Sequence, residues 1–393
     1  MKNTIVSFDN TEVAFSGKSN TDLSRAYWLF KIIGINFLVR VSPAFLNIAL
    51  TLRLPVKGLI RATAFRHFCG GESIQDCKRA IERLAEYNIG TILDYSVEGK
   101  ETEEDFDHSL RETLATIQHA KGDKRIPFSV FKTTGFARKA LLQKVNAKES
   151  LNAEEAAEFE RVKNRVLTIC QAGYDNQVPV FIDAEEIAEQ DAIDDMVTDM
   201  MMRFNKDRIL IYNTIQMYRT DRLEYLKKSF RHAQENHYML GMKIVRGAYM
   251  ERERKRAADL GIPSPIHADK ASCDKDYDDA VRFCVEHIDR VAICAGTHNE
   301  NSSLLLTELM QERNIPHHHP HIWFSQLLGM SDHISYNLSR LGYNVTKYVP
   351  YGPVASVLPY LIRRAQENTS VSGQTSRELS LIMQEMKRRK AHT

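Results

Sequence analysis

From about residue 89 the chain alternates short apolar runs with longer stretches of helical periodicity. The runs are Thr91–Tyr95, Phe128–Lys132, Val180–Asp183, Ile209–Gln216, Met242–Arg246, Val291–Thr297, Ile322–Leu327 and Lys347–Pro350. Runs this short, separated by helical segments, predict parallel strands joined by crossover helices. Eight such units predict an α/β fold, a (β/α)8 TIM-like barrel. Residues 1–88 read as an N-terminal helical region ending in the amphipathic run Ser73–Leu84, and the turn Asn88-Ile89-Gly90 leads into the barrel, 89–370. The long connection after the second strand holds extra helices, Arg138–Val145 and Ala153–Ala172. A C-terminal tail, 371–393, carries an amphipathic helix, Ser376–Lys390, whose basic end suits a helix C-terminus better than a membrane or anionic partner.

The polar residues fall at one end of these strands. Asp94, Lys132, Asp183, Gln216, Arg246, His298 and Ser325-Gln326 each stand at or just past the C-terminal end of an apolar run. That end carries the active site in this fold. The last unit leads through a Pro/Gly turn into Leu358–Asn368, where Pro359 suits a first helical turn. Tyr360, Arg363, Arg364 and Glu367 share one face of that helix. Paired guanidiniums near a helix start oppose the macrodipole, which favours an anion between them over a merely solvated charged face.

Composition narrows the class. Of 393 residues 43% are hydrophobic and 26% charged, and a net charge of +2 gives no nucleic-acid footprint. Six scattered cysteines suit a reducing, cytoplasmic compartment. The N-terminus lacks the pattern of a secretory or transit segment. Ala26–Leu54 is apolar but interrupted by Lys31, Arg40, Pro43 and Arg53, so a buried helical region is favoured over a span, with contact at the inner face of a membrane as the lesser reading. His317, His318, His319 and His321 precede the seventh strand, at the wrong end of a barrel for catalysis, and read as exposed loop; no metal site is expected. No GxGxxG or P-loop occurs, so barrel loops would hold a nucleotide cofactor.

The stretch YVPYGPVASVLPYLIRRAQEN resembles the last strand and helix of the proline dehydrogenase family, flavin-dependent enzymes that oxidise L-proline. MKIVRGAYM resembles the family's strand-five signature and GTHN its strand-six ending. Lys132 in FSVFK, Asp183 in FIDAEE, Gln216 in YNTIQMYR and Leu327 in WFSQLLGM match further positions, so the likeness runs from about Tyr95 to Asn368. In many bacterial relatives the first basic position of strand five is an arginine. Here it is Lys243, which cannot give a forked contact.

The resemblance implies FAD as cofactor, contacted by Gln216, Lys243, Arg246, His298, Asn299 and Glu367. It implies that Arg363, Arg364 and Lys132 bind the substrate carboxylate, and that Tyr249, Leu327, Tyr348 and Tyr360 enclose the ring. Asp183 would accept a hydrogen bond from Tyr348. The implied product is Δ1-pyrroline-5-carboxylate, with electrons passing to quinone or another acceptor. Two rivals are a trans-4-hydroxy-L-proline dehydrogenase, disfavoured because such relatives tend to lack a tyrosine at the position of Tyr348, and a non-catalytic amino-acid-binding barrel.

Overall fold

The computed structural model describes residues 6–33, 58, 60–97, 99, 101–370 and 374–391, without the side chains of 366–370 and 374–376. The apolar stretch beyond Ile33 and the side chain of Glu367 therefore lie outside the described residues. Eight strands close in chain order into a parallel barrel: β1 (Ile89–Tyr95), β2 (Phe128–Lys132), β3 (Val180–Asp183), β4 (Ile211–Gln216), β5 (Leu240–Val245), β6 (Val291–Gly296), β7 (Ile322–Leu327) and β8 (Val345–Tyr351). All eight expected strands are present.

The helices follow the predicted alternation. The N-terminal region carries α1 (Thr11–Ala14), α2 (Asn20–Ile33), a short helical segment Arg61–Phe68, and α3 (Lys78–Ala85). The barrel helices are α4 (Glu103–Ala120), α5 (Lys139–Asn146), α6 (Ala153–Asn176), α7 (Ile187–Phe204), α8 (Arg222–Glu235), α9 (Met250–Leu260), α10 (Lys270–Glu286), α11 (Glu300–Glu312), α12 (Asp332–Arg340) and α13 (Leu358–Ser370). The chain ends in α14 (Gln374–Ala391). Both extra helices between β2 and β3 are present, and Asn152 opens α6 with a capping box completed by Glu155.

Two local readings need correction. The helix expected from Ser73 starts only at Lys78. Asp76 folds back instead, its carboxylate accepting from the amides of Glu72 (3.2 Å) and Ser73 (3.1 Å), and Ile74–Cys77 form a turn. The turn before β1 covers Glu86–Asn88, with Asn88 at φ +54°, while Ile89 and Gly90 already belong to the strand.

The chain divides into two compact units. One comprises Ile92–Tyr95 and Gly99–Ser325. Its core includes Phe128 stacked on Phe181 at 4.3 Å, with Tyr212 and Trp323 edge-on to Phe128. These rings lie towards the N-terminal ends of their strands and fill the space there with large apolar surface. The other unit comprises Met1–Thr91, Ser96–Glu98 and Gln326–Thr393. There Ala14, Phe15, Leu23, Ala26 and Phe30 pack against Leu381 and Ile382 of α14.

The two arginines at the basic end of α14 bond inside this unit, while Lys387 and Lys390 are exposed. Arg389 bonds Glu385 (2.7 Å) and the carbonyls of Phe15 and Lys18 (2.9 Å each), while Arg388 also pairs with Glu385. His317 and His318 are exposed and His319 and His321 half-buried, in the loop before β7 as expected. No helix among the described residues is long and apolar enough to cross a membrane.

Candidate active site

Parallel strands place the last residue of each run at the same end, so strand chemistry follows from register. Lys132 and Asp183 are register partners on β2 and β3, and Thr214 on β4 lies beside Lys243 on β5. The Lys132 ammonium donates to both oxygens of Asp94 at 3.3 Å and stands 4.0 Å from Asp183. Lys243 reaches back to form an ion pair with Asp183, its ammonium 5.1 Å above the Phe181 ring. Two cations and two carboxylates thus alternate across β1, β2, β3 and β5, with Asp94, Asp183 and Lys243 buried. The group is neutral as a whole, which is what allows four charges to leave water together.

Gln216, at the end of β4, donates to the Glu185 carbonyl at 2.7 Å. Glu185 itself is buried, and its carboxylate accepts from the amide and hydroxyl of Thr134 in the turn after β2. Burial raises its pKa to about 7, against the pull of Thr134 and Lys132. The sequence carries two adjacent glutamates here, and nothing in the pattern tells that Glu186 turns outward to Lys139 while Glu185 turns in.

This raised pKa has a stability consequence. As pH climbs past the ordinary carboxyl range, the unfolded chain gives up the Glu185 proton before the folded chain does. The stabilisation is therefore full at about pH 4 and is lost as pH rises to about 7, by roughly 3 kcal/mol. Urea unfolding of Glu185→Gln should lack this component of the slope over that window. Parallel slopes for the two proteins would show the carboxyl ionising normally.

Arg246 lies just past β5, and its guanidinium is held on three sides. It donates to Asp274 (2.7 Å), Thr297 (2.8 Å) and Ser302 (2.9 Å), and stacks 4.2 Å above the Tyr277 ring. Asn299 caps α11, accepting from the amides of Asn301 and Ser302. Both side chains expected at the cofactor thus also build the β5–α10–α11 connection, with Thr297 as an unpredicted partner. Gly247 has φ +120°, and a Cβ there would meet the Tyr218 ring at 2.6 Å. The positive φ and that packing together require glycine. Tyr249 and His298 are half-buried at the ends of the same two strands.

In the other unit Leu327 ends β7 and Tyr348 is buried within β8. Tyr360 and Arg364 are buried on α13, the guanidinium 5.0 Å from the Tyr360 ring, and Arg363 is half-buried beside them. Pro359 is the second residue of α13, where its missing N–H costs little. Three buried charges near this stretch escaped the sequence reading: Lys347, Asp332 and Glu378. Asp332 bridges Lys347 and Lys18, at 2.8 Å to each.

Lys132, Gln216 and Lys243 on β2, β4 and β5, with Arg246 just past β5, are donors of the kind that suits the oxygens and ring nitrogens of a flavin. Comparison with known proteins gives the lineage. A sequence profile described as proline dehydrogenase matches residues 77–377. Proline dehydrogenase 1, mitochondrial, of Dictyostelium discoideum is 32% identical over 97% of this chain and 74% of its own length. The Arabidopsis thaliana protein of the same name is 34% identical over 85% of this chain and 76% of its own. Among solved structures, proline utilization A (PutA) from Bdellovibrio bacteriovorus, inactivated by N-propargylglycine, superposes with a TM-score of 0.72 at 19% identity. That match covers 95% of this chain but 40% of the PutA chain, and it bears on the fold alone. The chain belongs to the proline dehydrogenase family, oxidoreductases acting on proline.

Proposed function

We propose that the chain is an FAD-dependent L-proline dehydrogenase whose strand-end charges and α13 arginines divide the work of binding and activation. The observation that carries this reading is the alternating set Asp94–Lys132–Asp183–Lys243, the first three at or next to the ends of β1, β2 and β3 and Lys243 reaching them from within β5. Bound against such donors, FAD supplies a two-electron acceptor for the hydride on the ring carbon beside the substrate nitrogen. The product is Δ1-pyrroline-5-carboxylate. Gln216, Lys243, Arg246, His298 and Asn299 hold the cofactor, and Glu367 assists from α13.

The remaining chemistry belongs to the side chains. Arg363 and Arg364 take the proline carboxylate by charge-assisted bonds, and the two carboxylates around Lys132 hold its ammonium in place for the same anion. This positive field lowers the pKa of the secondary amine, freeing the nitrogen lone pair that must assist loss of hydride. Tyr249, Leu327, Tyr348 and Tyr360 close over the apolar ring and hold it in a near-attack orientation.

Electrons then pass to quinone or another acceptor. We place the chain in a reducing, cytoplasmic compartment, peripheral to the inner face of a membrane. The scattered spacing of the six cysteines, all of them buried, supports the first. Trp28 and Ile32, 58% and 52% exposed on α2, support the second.

The test is a flavin spectrum of the purified protein before and after anaerobic addition of L-proline. A yellow protein that bleaches is expected, with a larger kcat/KM for L-proline than for trans-4-hydroxy-L-proline. A colourless protein that takes up no added FAD would remove the enzyme reading. Equal turnover of both substrates would remove Tyr348 as the discriminating residue.

A further inference from the structure

The turn that follows β7, Leu327–Asp332, is held by charged side chains drawn from distant parts of the chain. Lys347 of β8, fully buried, donates to the carbonyls of Leu327 (3.4 Å) and Met330 (2.5 Å) and pairs with Asp332. His67 bonds the Gly329 carbonyl at 2.8 Å, and because a carbonyl only accepts, Nε2 must carry the proton. The Leu328 amide donates to the Tyr348 carbonyl at 2.9 Å. Glu378, buried on α14, accepts from the Ser331 amide. Lys18, ahead of α2, supplies the second cation on Asp332.

Several features mark this as a device for fixing geometry. Ser331 sits at φ +50°, a strained conformation for a residue with a side chain. Such a residue persists only where its surroundings over-determine it. Ser331 occupies the N-cap of α12 but its hydroxyl makes no cap bond, and its own amide is met from α14 by the Glu378 carboxylate. The charges also balance: Lys18 and Lys347 against Asp332 and Glu378. Burying a balanced, hydrogen-bonded set is tolerable, whereas removing one member leaves a charge without compensation.

We infer that Glu378 and Lys18 are positioning residues for the proline ring, acting through the Leu327–Asp332 turn on Leu327 and through Lys347 on the adjoining Tyr348. This rests on the reading of Leu327 and Tyr348 as ring contacts. Neither Glu378 nor Lys18 needs to meet the substrate. One comes from the last helix and the other from the first twenty residues, so the two ends of the chain jointly set the position of one wall of the site.

The test compares two competitive inhibitors on flavin-loaded protein, well below its unfolding temperature. Tetrahydro-2-furoate carries both ring and carboxylate, and acetate carries the carboxylate alone. In Glu378→Ala the inhibition constant for tetrahydro-2-furoate should rise ~10-fold, with acetate within ~2-fold of wild type, because only the ring wall has moved. Glu378→Gln, which keeps an acceptor for the Ser331 amide, should recover most of the difference. Should Glu378→Ala fail to fold, Lys18→Met should show the same split. Unchanged constants for both inhibitors, or an equal rise in both, would overturn the assignment. A merely destabilising substitution lowers the amount of active protein without separating the two inhibitors. A wild-type protein that neither binds the ring inhibitor nor oxidises proline would instead overturn the functional reading beneath it.

Discussion

Replacing Arg364 by methionine is expected to raise the KM for L-proline steeply while FAD content stays near normal. The substitution removes a charged fork but keeps much of the bulk packed against Tyr360. Truncating one partner of a buried, charge-assisted contact costs about 2–5 kcal/mol, or roughly 30- to 5,000-fold in affinity. If the carboxylate contact is equal in ground and transition states, the loss falls on KM and spares kcat. Tetrahydro-2-furoate should weaken in parallel, whereas prolinamide, which lacks the carboxylate, should change little. Full affinity for proline with loss of FAD would move Arg364 from substrate to cofactor. A lysine at this position should rescue only part of the effect, since a point charge cannot reproduce a planar fork.

The second large effect concerns the Lys243–Asp183 pair. Asp183→Asn should destabilise the protein by about 3–5 kcal/mol in urea unfolding, because Lys243 loses the carboxylate it reaches and Lys132 loses a second neighbour. Lys243→Met should cost less, since Asp183 keeps Lys132 within 4.0 Å. The double variant should be more stable than the sum of the two single losses predicts, as the uncompensated charge disappears with its partner. Strict additivity would mean that the two side chains do not interact energetically.

The barrel was legible because periodicity and strand length are local properties. Each apolar run ends where the backbone must leave the sheet, and the polar residue placed there shows which end carries chemistry. Boundaries were less legible wherever a side chain intervened. Asp76 delays α3 by capturing two amides, and Asn205 satisfies the amides of Leu210 and Ile211, so β4 starts later than its apolar run suggests. The candidate site was legible as residue types at strand ends, but the partners of those residues were not. Arg246 meets Asp274, Thr297 and Ser302 across intervals of 28, 51 and 56 residues, and no short-range pattern encodes that. Lys347 reads in sequence as a strand residue beside Tyr348, and its burial against Asp332 depends on the turn after β7. Glu378 sits on a helix whose amphipathic pattern gives no reason to distinguish it from Glu385, the other acidic residue there.

The joint core of the first and last helices also bears on synthesis. Phe15, Leu23, Ala26 and Phe30 are translated long before the side chains that cover them, Leu381 and Ile382. The nascent chain therefore carries an uncovered apolar face until Leu381 and Ile382 follow, while the intervening residues, Gly99–Ser325, can begin to condense on their own. Contacts spanning so many residues form late and slowly. A stalled or truncated product that stops short of α14 would keep this face exposed, making it a natural target for chaperone retention and quality-control proteolysis.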